Sequence, residues 1–62
     1  MFTRADYWEY FEAIRVKEIA MIANLKQMIA RLTDPAAVEG LSAILRDELR
    51  HADLVRELFD LL

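Results

Sequence analysis

Two glutamates and a histidine carry the one spacing in this 62-residue chain that suggests chemistry. Glu48 and His51 stand three positions apart, so on a helix they project side by side, one turn from each other. Glu18 lies thirty residues earlier. Carboxylate and imidazole donors suit Fe(II), Mn(II) or Zn(II), and bridging carboxylates can hold two cations close together. The chain has no cysteine, which excludes disulfides and thiolate metal sites and leaves the redox compartment open.

The elements that must position these residues follow from one strong punctuation mark, Thr33, Asp34 and Pro35. Thr33 or Asp34 can cap a new helix, and Pro35 fits its first turn, where no amide hydrogen is needed. Arg31 sits where a cation favours the end of the preceding helix. The spacing therefore predicts one helix over about 3–32, with Thr3 or Asp6 near its start, a turn over 33–35, and a second helix over about 35–61. Gly40 and Ser42 weaken the second helix locally, a glycine costing about 1 kcal/mol against alanine. The helix is expected to run through them, with Leu41 as the alternative start. So short a connection makes the pair an antiparallel αα-hairpin, a single half-bundle over 1–62. Helices about 40 Å long cannot enclose their own apolar stripes in pairs, so a second copy is expected.

At about 100° per residue, the first stripe runs through Tyr7, Phe11, Ile14, Ile22, Leu25, Ile29 and Leu32. Glu18 sits at its middle. The second stripe runs through Leu41, Ile44, Leu45, Ala52, Val55, Phe59 and Leu62, with Glu48 at its centre and His51 on its flank. Counted from Asp34, Glu18 is sixteen residues back, and Glu48 and His51 are fourteen and seventeen forward. In an antiparallel hairpin all three fall at one level. An ionised glutamate in a core stripe costs several kcal/mol unless it has a partner or a metal. The competing reading supplies that partner without metal: Glu18 and Glu48 in buried pairs with Arg15 and Arg46, His51 an ordinary half-buried histidine, and the chain a plain helical dimerisation or adaptor module.

Glu plus Glu-x-x-His is the ligand set of one half of a ferritin-like di-iron bundle. Two halves related by a two-fold axis would supply four carboxylates and two imidazoles, and the dimer interface would be the core of a four-helix bundle. The arrangement of Glu18 with Glu48, Leu49, Arg50 and His51 resembles the encapsulated ferritins, two-helix ferritin-like proteins that dimerise to build a ferroxidase centre. The turn at Thr33, Asp34 and Pro35 and the run Arg46, Asp47, Glu48 are similar as well. The resemblance covers roughly Glu18 to Phe59. It implies that Glu18, Glu48 and His51 are the iron ligands and catalytic residues, with Glu18 and Glu48 able to bridge, two irons per dimer, and Fe(II) oxidised by dioxygen or peroxide. Manganese, zinc or mixed metals suit the same ligands, so a di-manganese or mixed-metal oxidase is a further alternative.

The chain departs from that family in two places. Lys17 and Ile19 flank Glu18, where the family carries further acidic residues that form an accessory cation site. No tail follows Leu62 to act as a targeting peptide, so an encapsulin shell as partner, with residence in a protein nanocompartment, is implied by the resemblance alone. A free-standing cytoplasmic relative fits equally.

The remaining residues set limits. A net charge of −3 argues against nucleic acid as a partner. The longest apolar run, Ile19 to Ala23, is far too short to span a membrane, and no signal-peptide core follows Met1. With 56% hydrophobic residues and one glycine and one proline, the chain is neither disordered nor all-β. Ile19, Ala23, Leu49, Leu54 and Leu61 lie off both stripes and suggest a second interface, hence a higher oligomer of dimers. Tyr7, Trp8, Tyr10 and Phe11 read as aromatic packing at one end, with electron donation by Tyr7 or Trp8 as the sharper alternative. Met21 and Met28 read as edge packing. Glu9, Glu12, Lys26, Asp53 and Arg56 read as a solvated face, and Asp47, next to Glu48 in sequence, projects about 100° away from it and is not assigned as the acceptor for His51.

Overall fold

A computed structural model describes all 62 residues. It contains two helices and no strand: α1, Arg4–Arg31, and α2, Pro35–Asp60. Thr3 starts α1 through a capping box. Its hydroxyl accepts from the Asp6 amide at 3.2 Å, and its own amide donates to the Asp6 carboxylate at 2.9 Å. Asp34, not Thr33, caps α2: its carboxylate accepts from the Ala36 amide at 3.3 Å, with Pro35 at the first helical position. α2 runs unbroken through Gly40, whose φ is ordinary.

Two helices of this length, joined by three residues inside a body of 49 × 15 × 14 Å, must lie antiparallel along a rod. Both chain ends leave from one end of that rod, and the turn forms the other. A compact globule of this length has a radius of gyration of about 10.5 Å; here it is 14.7 Å. No helix is long and apolar enough to cross a membrane.

The seam between the helices buries only Leu25, at 7% exposure, and Val55, at 6%. Phe11, Ile22, Ile29, Leu41, Leu45, Ala52, Phe59 and Leu62 are half-buried beside them. Tyr7, Ile14, Leu32 and Ile44, which periodicity places in the stripes, are exposed in the hairpin. The reason is geometric: an apolar stripe spans 100° or more of the helix surface, and one neighbouring cylinder covers a narrower arc. Val38, near the turn, and Leu58, near the free ends, are half-buried although they lie outside the stripes as drawn.

Candidate metal centre

Halfway along the rod, α1 presents Glu18 and α2 presents Glu48 and, one turn on, His51. One ligand atom from each residue can be chosen so that all lie within 4.8 Å of one another. The Glu48 side chain is 15% exposed and the His51 ring 50%, so the site is closed on the seam side and open beyond His51. His51 Nδ1 stands 3.9 Å from Glu48 Oε2, too far for a hydrogen bond.

One oxygen of each carboxylate, Glu18 Oε2 and Glu48 Oε2, is buried and has no hydrogen-bond partner. A proton held by either carboxyl turns the pair into a hydrogen bond. That bond with Glu48, then burial, then the Glu48 charge push the Glu18 carboxyl above its usual range, and His51 opposes them. Like charges brought together out of water behave this way when nothing neutralises them.

The arginines that could neutralise them are engaged elsewhere or unpaired. Arg15 grips Glu12 with two hydrogen bonds, at 2.6 and 2.9 Å. Arg50 pairs with Asp47 at 3.2 Å, and Arg56 with Asp53 at 3.6 Å. Arg46 makes no ion pair, and neither Glu18 nor Glu48 meets an arginine or lysine within 4 Å. The alternative pairing of the two glutamates with Arg15 and Arg46 is therefore not what the chain adopts.

The residues fit a cation. Nitrogen and oxygen ligands held about 2.1 Å from one ion lie about 3 to 4.2 Å from each other. One ligand atom from each of the three residues lies within 4.8 Å of the others, close to that range. The two orphaned oxygens face inward, where an ion would satisfy both, and the open side beyond His51 leaves room for further ligands.

No family model, curated protein or solved structure matches this chain. What the site can do rests on its own residues.

The aromatic residues gather at the free ends of the rod, away from the site. Tyr7 meets Phe11 at 6.2 Å between ring centres, Phe11 meets Phe59 at 5.8 Å, and Trp8 stands edge-on to Phe59 at 5.6 Å. Phe2 joins them through Tyr7 and Tyr10, at 5.5 and 5.3 Å. Sequence reading passed over Phe2, though the signal was present. An apolar residue just before a capping Thr, packing on the fourth helical residue, is a hydrophobic staple.

Proposed function

We propose that this chain supplies half of a carboxylate-bridged di-iron centre, completed by a second copy in a ferritin-like four-helix bundle, and that it oxidises Fe(II). One observation carries the reading: two buried carboxylate oxygens without donors, beside an imidazole and with no arginine or lysine within 4 Å. Such an arrangement is costly when empty and is relieved by a bound cation. Glu18 and Glu48 would hold the ions, and flexible carboxylates of this kind could serve two cations at once. His51 binds through one ring nitrogen and leaves the other for a hydrogen-bond acceptor that fixes its tautomer. Two ferrous ions held there would supply the two electrons, and solvent the two protons, that take dioxygen to hydrogen peroxide or peroxide to water.

The exposed Tyr7, Ile14, Met21, Met28 and Ile44 support the second copy, because no monomer of this size gains by leaving such a face in water. Ile19, Leu49 and Leu54, also exposed, support a further assembly of dimers.

Metal content of protein purified without chelator, followed by anaerobic Fe(II) titration, tests the centre. About one ion per chain is expected, with rapid oxidation on admitting air. Glu18→Ala and Glu48→Ala should each abolish both. Unchanged stoichiometry in either variant would sink the proposal, and a helical interaction module without metal would take its place.

A further inference from the structure

Besides Met1, the chain carries two methionines, Met21 and Met28, that differ in little but their distance from the candidate site. Each is 48% exposed. Seven residues, almost two full turns of α1, separate them, so their side chains project within about 20° of each other. Met21 stands three residues from Glu18, about 4.5 Å along the helix axis, and Met28 ten residues, about 15 Å. The furrow that both line begins at Lys17, the residue before Glu18.

Their side of α1 is also the side of His51. Met28 and Ile44 wall one groove between the helices at the turn end. Met21 lies seven residues before Met28 on α1, and His51 seven after Ile44 on α2. A step of seven returns to nearly the same direction, so Met21 and His51 flank the hairpin on one side. Counted from Asp34, Met21 is thirteen residues back and His51 seventeen forward, a difference in height of about 6 Å. This is the side on which the site opens, beyond the half-exposed imidazole. The chain has no cysteine to compete for peroxide, so its thioethers are the sulfur that peroxide can oxidise.

Resting on the reading above, we infer that Met21 is an oxidation site served from within: hydrogen peroxide released at the ferrous centre is caught by this thioether before it reaches solvent. The sulfur lone pair attacks one peroxide oxygen and the O–O bond breaks. The proton on the attacked oxygen passes to the leaving hydroxide, which departs as water. Met21 is oxidised by two electrons to the sulfoxide, and the peroxide is reduced. Met28, about 10 Å farther along the same side of the helix, receives only what escapes.

Mass spectrometry of digested protein tests this after turnover. Fe(II) is loaded without air, and isotopically heavy dioxygen is admitted with catalase present, so that oxygen delivered by turnover is told from oxygen picked up in handling. The comparison is the same protein loaded with Zn(II), which has no redox chemistry, and given hydrogen peroxide from solution. Turnover should label Met21 several-fold more than Met28, with far less difference between them in the zinc protein. Equal labelling, or labelling that catalase abolishes, would overturn the inference while iron oxidation leaves the centre standing. Heavy oxygen spread over Leu25 and His51 as well would mean radical attack and would overturn it too. No iron oxidation and no label would overturn both. Met21→Leu, a swap that keeps volume and apolar character, should oxidise iron at the same rate and, assayed without catalase, release more peroxide. Unchanged release would also count against a capturing thioether.

Discussion

Glu12 and Glu18 lie less than two turns apart on α1, yet their carboxyls move in opposite directions. The Arg15 hydrogen bond holds Glu12 below its usual range. Glu18, facing Glu48 rather than an arginine, is held above its own. A raised acid favours the folded state only while protonated. Its contribution to stability is complete below the ordinary value of 4.5 and is lost as pH rises through the higher folded value. The melting temperature of metal-free protein should therefore fall as pH rises from below 4.5 toward neutrality. Glu18→Gln should flatten that slope and melt higher at pH 7, as thermal denaturation followed by circular dichroism would show; a wild-type profile that is already flat contradicts it. The level shared by Glu18, Glu48 and His51 was legible in the sequence, because a fixed rise per residue and a three-residue turn leave little freedom. The partner of Arg15 was not. Glu18 and Glu48 were the acids set against Arg15 and Arg46, whereas Glu12, one turn before Arg15 and away from the seam, takes Arg15 at the surface.

Helix ends and helix faces were read with unequal success. Caps follow from local chemistry, so the sequence narrowed them to Thr3 or Asp6 and to Thr33 or Asp34 before Pro35, and Phe2 carried the staple signal as well. Thr3→Ala should cost about 1 kcal/mol in urea denaturation. Which part of a stripe gets buried is not local information. Periodicity gives the direction of Ile14 and Ile44 but not what lies opposite them, and one hairpin leaves both in water. Leu25, which does reach the seam, should behave differently. Leu25→Ala is expected to cost about 2–3 kcal/mol, the usual range for an emptied core position. Ile14→Ala, compared at dilutions where the chain is monomeric, should cost well under 1 kcal/mol. Equal losses in the two variants would mean that the seam is not where the structure places it.

For the whole molecule, two buried residues leave a lone hairpin of 62 only marginally stable, so stability should depend on protein concentration. Ile44→Asp, which puts a charge on the exposed face, should shift sedimentation from dimer to monomer, and an unmoved dimer would relocate the interface. Metal should act in the same direction as concentration. At a hundredfold excess over its Kd, Fe(II) or Mn(II) should add about 2.7 kcal/mol, seen as a higher melting temperature that Glu48→Ala abolishes.

Both chain ends leave from one end of a rod 49 Å long. In a pair whose turns lay at opposite ends of the bundle, Leu62 of one hairpin and Met1 of the next would lie a full rod length apart. A gene encoding both halves as one polypeptide would need about 15 residues of extended chain between its second and third helices. Joined that way, the two halves could diverge, and one could lose a ligand while the other kept it. As separate copies they could not: each codon would be read into both sides of a shared site, so a single substitution would remove ligands in pairs.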